Sequence, residues 1–232
     1  MILPLNAAPN PYAIGFNCNE PLQGAFLAQG LSRAMGGKGS LLEMQGVPGT
    51  AASDQVLQGA GDVLKSCTGI TVAGKPVGEY APSVAKTQTL EFLAAHPQPI
   101  DGMIQVGGMA TGMIQAFQQT GRTVPPIGDL GATPGALAYW AAYKDSYSGV
   151  GLALPTIPEA DATWDIAQGL LQGRGVKVSE ILQNPVLVTS ANLSQWVQPG
   201  WNLDTPLAYA PGPPGVFYSS AYLDQFFSSP SS

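Results

Sequence analysis

The sequence predicts an α/β protein built on a doubly wound parallel sheet with helices on both faces. Short apolar runs alternate with helix-length segments from residue 12 to residue 154, and Gly or Pro separates most of them. Strands that alternate with helices of this length form βαβ units, whose right-handed crossovers place helices on both faces of a parallel sheet. Because 45% of the 232 residues are hydrophobic, the chain can also bury a sizeable core.

The individual elements follow from apolar spacing and from the residues that stop each segment. Strands are predicted over residues 12–16, 40–45, 69–73, 101–106, 124–128 and 149–154. Helices are predicted over residues 22–35, 53–65, 83–96, 109–120, 134–145 and 157–171. A β-rich run at residues 185–189 follows the last of these helices, so the chain is expected to return to a sheet there.

Particular residues mark where the helices begin and end. Gly36 and Gly121 follow the first and fourth helices, where glycine admits the left-handed conformation of a C-cap. Ser83 is predicted to cap the third helix, and Pro97 to end it. Pro134 opens the fifth helix, at a position where its missing N–H leaves no bond unmade.

The most informative loop is the glycine-rich turn after the second predicted strand. Gly46, Pro48 and Gly49 turn the chain sharply, and Thr50 or Ser53 can cap the helix that follows. In an open α/β sheet, loops at the carboxyl ends of the strands line the ligand crevice. The sequence therefore predicts a binding edge at this turn.

Composition and charge argue against two classes of partner. The net charge is −6 and there is no run of basic residues, whereas nucleic-acid binding needs clustered Lys and Arg. No apolar stretch reaches the roughly 18 residues of a membrane-spanning helix.

Residues 1–5 lack the charged start and long apolar stretch of a signal peptide, and we expect the chain to begin inside a longer gene product.

Catalytic chemistry finds little support in the sequence. The single histidine, His96, precedes Pro97 at a helix end, where a surface residue near the helix dipole is expected. One His and two distant Cys cannot form a zinc site, and no Walker or GxGxxG loop is present. We therefore predict no catalytic residue, no metal, no cofactor and no enzymatic activity.

Cys18 and Cys67 can form one disulfide in an oxidising compartment or remain thiols.

Five motifs give the chain a family resemblance. In order they are GGKGSLLEMQGVPGTAASDQVLQGAGDVL (36–64), LEFLAAHP (90–97), IDGMIQVGGMATGMIQAFQQTGR (100–122), IGDLG (127–131) and LLQG (170–173). Their order and spacing resemble the second lobe of type I periplasmic sugar-binding proteins of the ribose-binding kind. That family is expected to have the predicted doubly wound lobe.

The resemblance implies a domain organisation. Residues 12–147 correspond to the complete second lobe of the family, and residues 148–198 to crossover and partial first-lobe elements. Residues 199–232 form an irregular tail rich in Pro, Gly and aromatic residues, part of which is expected to wrap onto the body; its last five residues are expected to be disordered. The other lobe of this chain is therefore expected to be incomplete, because it lacks the N-terminal part of the family's first lobe.

The resemblance also implies a function. It indicates a non-enzymatic solute-binding protein of an ABC-type importer, which is periplasmic or extracellular and docks on a membrane permease. The ligand is expected to be a sugar or a less polar small molecule, held in the cleft between lobes. Two alternatives remain: the effector-sensing domain of a LacI-like transcription regulator, and an enzyme on a doubly wound fold. A regulator needs a basic helix-turn-helix, and an enzyme needs His, Cys or paired acids, which are scarce here.

Ligand positions are implied by the same resemblance. Tyr80 matches the aromatic residue after the third strand. Val56 falls where the family has a sugar-clamping arginine, and Val106, or Gly107 in the neighbouring register, falls where it has an asparagine. Asp129 lies next to the position of the family's aspartate.

Three further residues are polar candidates by location. The valines at positions where the family has polar residues also affect which ligand is expected. Gln105 ends the fourth strand, and Asp54 and Gln55 open the second helix. Valine cannot satisfy a sugar hydroxyl, so the departures favour a less polar or aromatic ligand, or a degenerate site. The alternative for Val56 and Val106 is ordinary core packing.

Overall fold

A computed structural model describes residues 14–154, 156–183, 185–207, 209–214 and 217–228. The chain divides into two compact units. The larger unit comprises Glu20–Leu154 and Leu187–Ala210. The described residues of the smaller unit lie within Met1–Asn19, Pro155–Val186 and Pro211–Ser232.

Strands and helices alternate along the first two thirds of the chain. The strands are β1 (Gly15–Cys18), β2 (Lys38–Met44), β3 (Gly69–Gly74), β4 (Gly102–Gln105), β5 (Ile127–Leu130), β6 (Val150–Ala153), β7 (Glu180–Gln183) and β8 (Val186–Val188). The helices are α1 (Glu20–Ala34), α2 (Ala51–Leu64), α3 (Pro82–Ala95), α4 (Ala110–Gln119), α5 (Pro134–Ala142), α6 (Thr156–Leu171), α7 (Leu193–Trp196) and α8 (Ser220–Asp224).

The larger unit is built on a six-stranded sheet with the order β3-β2-β4-β5-β6-β8. The pairs β2–β3, β2–β4, β4–β5 and β5–β6 are parallel. From β2 the chain first moves outward to β3 and then returns to place β4 on the other side of β2. The strand order therefore reverses between β2 and β4, which is the position where doubly wound sheets bind ligands. Strands β4, β5 and β6 are buried along their whole length, as expected when helices cover both faces.

Helices α1 and α2 pack with their backbones in close approach. A Cβ atom at Gly59 would stand 2.6 Å from the carbonyl carbon of Pro21, and one at Gly24 would stand 2.7 Å from the carbonyl carbon of Val56. Real Cβ atoms do not approach backbone atoms so closely, so each position requires glycine. This packing fixes where α2, and the loop before it, lie relative to the sheet.

The segment that follows β8, as far as Ala210, packs on the rest of the larger unit. The Gln115 side chain of α4 donates to Oδ1 of Asp204 at 3.0 Å. Farther along, the Ala210 N–H donates to the Gly131 carbonyl at 3.3 Å, and Ala210 is buried. Part of the aromatic tail therefore covers the body of the larger unit rather than extending away from it.

The smaller unit contains a two-stranded parallel sheet of β1 and β7, with Gly15 opposite Glu180. Its core contains Ile166 of α6, Ile181 of β7 and Phe227 near the end of the described chain. Phe227 also forms an antiparallel bridge with Val176. Aromatic residues of the tail thus supply part of this core.

The predicted fold class is confirmed, and each predicted strand and helix corresponds to an element of the described residues. Strand β7 and helices α7 and α8 were not predicted, and α8 lies in the tail that was expected to be irregular. Residues 12–13 of the first predicted strand, and 229–232 of the predicted disordered end, lie outside the described residues. The fifth strand begins at Ile127 rather than at residue 124, because Pro125 and Pro126 have no N–H for a sheet ladder. The larger unit begins at Glu20 rather than at residue 12, because β1 pairs with β7 in the smaller unit. It also continues past residue 147, since β6 pairs with β5.

Of the expected helix caps, Thr50 has the predicted position but makes no side-chain cap bond, and Ser83 is not a cap. Thr50 is the N-cap residue of α2, but its hydroxyl donates to the Val47 carbonyl at 2.7 Å and accepts no helix N–H. Ser53 lies inside α2, where its hydroxyl accepts from the Gly46 N–H at 3.1 Å. The N-cap of α3 is Ala81, because α3 begins with a proline one residue before Ser83. The proline at the start of α5 is confirmed.

The two cysteines, both described, are not joined by a disulfide. The Cys18 thiol lies 3.4 Å from Oε1 of Gln183, and the Ser32 hydroxyl lies 3.4 Å from the Cys67 sulfur. Within the described part of the chain, none of the helices combines the length and apolar character needed to cross a membrane.

Candidate functional site

The candidate site lies at the carboxyl ends of β2 and β4, where the strand order of the larger unit reverses. The loop after β2 runs from Gln45 to Thr50, and the loop after β4 contains Gly107 and Gly108. A third loop is attached to the end of β2, because Gln45 forms a parallel bridge with Val77. That third loop carries Tyr80.

Tyr80 is held in an uncommon backbone conformation. Its φ is 57° and that of the preceding residue, Glu79, is 54°, so two successive non-glycine residues are left-handed. Each such residue costs roughly 1–3 kcal/mol and persists only where the surrounding structure enforces the conformation, and such residues cluster at functional sites. The Gly78 N–H donates to the Gln45 carbonyl at 2.9 Å, which fixes the start of this turn against β2.

The ring of Tyr80 covers the point between β2 and β4. A Cβ atom at Gly46 would overlap the ring, and would stand 2.6 Å from its hydroxyl. A Cβ atom at Gly107 would stand 3.1 Å from Cδ1 of the same ring. The Tyr80 hydroxyl also lies 2.9 Å from Oγ1 of Thr50. Glycine at both strand ends therefore makes room for an aromatic ring at the position where the fold binds ligands.

The loop after β2 is shaped by the first turn of α2. The Ser53 hydroxyl accepts from the Gly46 N–H, and the Asp54 carboxylate accepts from the Gly49 N–H at 3.1 and 3.3 Å. Asp54 is therefore engaged by backbone, although its side chain is exposed. Gln55 is exposed on the surface of α2.

Gln105 and Asp129 are brought together, but inside the protein. Both are buried, and the Gln105 amide donates to Oδ1 of Asp129 and, at 2.9 Å, to the Leu130 carbonyl. Its own carbonyl oxygen accepts from the N–H groups of Gly107 at 2.6 Å and Met109 at 3.3 Å. Gln105 thus orients the loop after β4 through its backbone.

Asp129 is a buried acid held by neighbouring donors. Its carboxylate accepts from the Thr133 N–H at 2.7 Å and from the Thr133 hydroxyl at 2.9 Å. Desolvation by burial raises the pKa of Asp129 to about 7, although the hydrogen bonds from Thr133 and Gln105 favour the charged form. These contacts make Asp129 an internal anchor of the network that includes Gly107.

The two valines of the predicted site lie in the interior. Val56 has no exposed surface and its carbonyl faces Gly24 of α1. Val106 is 2% exposed at the end of β4. The structure therefore brings the half-buried Tyr80 and the buried Gly107 together at the carboxyl edge of the sheet, and it places Gln105 and Asp129 in the interior. Asp54 lies on the adjoining loop.

Sequence reasoning missed Tyr209. A Cβ atom at Gly107 would stand 3.9 Å from the Tyr209 hydroxyl, so this side chain approaches the same glycine as Tyr80 does. The aromatic content of the tail was a signal that it packs on the body, but no local pattern links Tyr209 to Gly107. Among the described residues, no group of three or more His, Cys, Asp or Glu side chains is placed to hold a metal ion.

The chain is similar to proteins that bind small solutes. A xylitol-binding protein of Mycolicibacterium smegmatis is 26% identical over 190 residues, which cover 80% of this chain and 53% of that protein. An ABC transporter solute-binding protein from Thermobispora bispora matches with a TM-score of 0.70 at 20% identity, over 84% of this chain and 59% of that one. A periplasmic solute-binding protein from Actinobacillus succinogenes with bound D-allose matches with a TM-score of 0.69 at 18% identity, over 83% of this chain and 70% of that one.

These matches bear on the fold and on the family. The chain spans about half the length of the xylitol-binding protein, 53%, and the two solved structures, at 18–20% identity, share its fold. The family model for the periplasmic binding protein domain matches residues 6–174, well over half of the chain. The resemblance that the sequence motifs indicate is confirmed: this chain belongs to the periplasmic binding protein family.

Proposed function

We propose that this chain is the solute-binding component of an ABC-type importer and that it binds a small neutral solute at the carboxyl edge of its six-stranded sheet. The observation that carries the proposal is the Tyr80 ring, seated over Gly46 and beside Gly107 at the reversal of strand order. An aromatic ring offers an apolar face on which a sugar or a less polar ring can stack, while its hydroxyl contacts polar groups.

The residues of this edge favour a neutral solute. The segments 45–50, 76–80, 105–109, 129–133 and 207–210 contain no Lys or Arg. An anionic solute therefore meets no cation from them. Of the acids in or beside these segments, Asp54 accepts from the Gly49 N–H and Asp129 from Thr133 and Gln105, so both are poorly placed to receive a cationic solute. Glu79 is exposed on segment 76–80.

The relatives support the transport role and the chemical class of the solute. One relative is named for binding xylitol, and solved relatives hold D-allose or myo-inositol, which are all neutral and polyhydroxylated. Family membership supports a periplasmic or extracellular location and a membrane permease as partner. The relatives, which are solute-binding proteins, also support a binding rather than a catalytic role.

The test is a thermal-shift screen with xylitol, D-allose, myo-inositol and L-arabinose, followed by calorimetric titration of the tightest probe. A solute at about a hundred times its dissociation constant stabilises the fold by roughly 2.7 kcal/mol. We expect Tyr80→Ala to weaken binding at least tenfold, because the variant loses the stacking face, which corresponds to about 1.4 kcal/mol.

The matched control is Tyr143→Ala, which removes an exposed tyrosine at the end of α5 and should leave the dissociation constant unchanged. Tyr80→Phe keeps the ring but loses the contact with the Thr50 hydroxyl, and is expected to fall between the wild type and Tyr80→Ala. Equal affinities of the wild type and Tyr80→Ala would show that the solute binds elsewhere. A wild type that binds none of the probes would overturn the proposed function.

A further inference from the structure

The position of Tyr209 is fixed by its chain neighbour. Ala210 is 1% exposed, and its N–H donates to the carbonyl of Gly131, which directly follows β5. The segment that returns after β8 is therefore attached to the carboxyl edge of the sheet at the residue next to Tyr209. Tyr209 belongs to the larger unit, as does the whole of the site described above.

Tyr209 and Tyr80 share the space beside Gly107. An atom of each side chain lies within 4 Å of the position that a Cβ atom of Gly107 would occupy: Cδ1 of Tyr80 at 3.1 Å and the hydroxyl of Tyr209 at 3.9 Å. Gly107 itself has a φ of 152°, which L side chains rarely adopt. The Tyr80 ring and the Tyr209 hydroxyl therefore approach the same point beside the buried Gly107.

The chemistry of Tyr209 suits hydrogen bonding to a neutral solute. Burial, with further contributions from Tyr80 and Asp129, raises the pKa of its hydroxyl above the usual value for tyrosine. The group therefore remains protonated at neutral pH and can donate as well as accept. The Tyr80 hydroxyl, by contrast, is already in contact with the Thr50 hydroxyl. The hydrogen bond to the solute is therefore assigned to Tyr209.

We infer that Tyr209 forms the second wall of the solute site and donates a hydrogen bond to one hydroxyl of the bound solute beside Gly107. The inference rests on the proposed function. The inference gives the segment after β8 a residue that determines specificity, in addition to the residues at the ends of the strands. A site built to bind a hydroxyl group rejects an analogue that lacks it far more strongly than an apolar pocket does.

The experiment compares Tyr209→Phe with the wild type in calorimetric titrations of the tightest neutral probe and of its deoxy analogues, one hydroxyl removed at a time. For the wild type, one analogue should bind about tenfold more weakly than the parent, the effect of one neutral hydrogen bond. For Tyr209→Phe, the parent should bind about tenfold more weakly than it does to the wild type, and removal of that same hydroxyl should cost nothing further.

Tyr209→Phe keeps the volume of the side chain, so it tests the hydroxyl without opening a cavity. Tyr143→Phe is the matched control, because it removes a phenolic hydroxyl from an exposed position on the same unit and should change neither titration. If the loss of affinity caused by Tyr209→Phe adds to the loss caused by removal of each hydroxyl, for every deoxy analogue, the role of Tyr209 is overturned while the proposed function stands. A wild type that binds no neutral probe would overturn both.

Discussion

Gly59→Ala should lower the melting temperature of the protein by about 4–8 °C, the shift expected for a net loss of roughly 2 kcal/mol in a chain of this size. The added methyl group would stand 2.6 Å from the carbonyl carbon of Pro21 in α1. The obstacle is backbone, which cannot rotate away as a flexible side chain can, so the helices must separate. This steric cost of roughly 3 kcal/mol exceeds the gain in helix propensity of about 1 kcal/mol, so the net effect is destabilising.

Gly61→Ala provides the matched control, since Gly61 belongs to the same helix and a Cβ atom there would meet nothing within 4 Å. That variant should raise the free energy of unfolding by up to about 1 kcal/mol. The measurement is thermal unfolding followed by tryptophan fluorescence, because three of the four tryptophans, Trp140, Trp196 and Trp201, belong to the larger unit. Equal changes in the two variants would contradict a close approach of α1 and α2.

The packing of α1 on α2 also bears on the site. The first turn of α2 carries Ser53 and Asp54, which hold the N–H groups of Gly46 and Gly49. A displaced α2 would therefore release the loop on which the Tyr80 ring is seated. We expect Gly59→Ala to weaken solute binding as well as folding, whereas Gly61→Ala should leave binding unchanged.

The fold was largely predictable because its signals are local. Alternating apolar strands and helices over residues 12–154 set the order of the elements, and βαβ handedness restricts their arrangement. Strand β7 was missed because its pattern is weak: Ile181 and Gln183 are buried, but Leu182 is exposed. Such a segment becomes a strand through pairing with β1, which is distant in the sequence.

The site was predictable only in part, for two physical reasons. Tyr80 and Gly107 follow strand ends, and parallel strands bring their carboxyl ends to one edge, so a resemblance in the motifs was sufficient to place them. Gln105 ends β4, and Asp129 is the third of the four residues of β5. Both strands are buried on both faces, so period-2 alternation does not distinguish a side chain in the interior from one at the ligand edge. Tyr209 depends on the non-local bond between Ala210 and Gly131.

Asp129 should make the stability of the larger unit fall as the pH rises from about 4 to about 7. Burial raises its pKa from 3.8 to about 7 in the folded protein. Between these values the folded state binds a proton that the unfolded state does not. The contribution of this group to stability is therefore fully present below the unfolded pKa and is lost as the pH rises through the folded pKa, at about 1.4 kcal/mol per pH unit.

The measurement is the free energy of unfolding by urea at half-unit intervals of pH, for the wild type and for Asp129→Asn. The variant lacks the titrating group, so the difference between the two proteins should change with pH across this window and level off outside it. Asp145→Asn, at an exposed position, controls for the one-unit change in net charge. Parallel pH profiles of the wild type and Asp129→Asn would mean that Asp129 stays ionised when folded. Its hydrogen bonds from Thr133 and Gln105 would then outweigh the desolvation, and the network that orients Gly107 would be anchored by a buried charge.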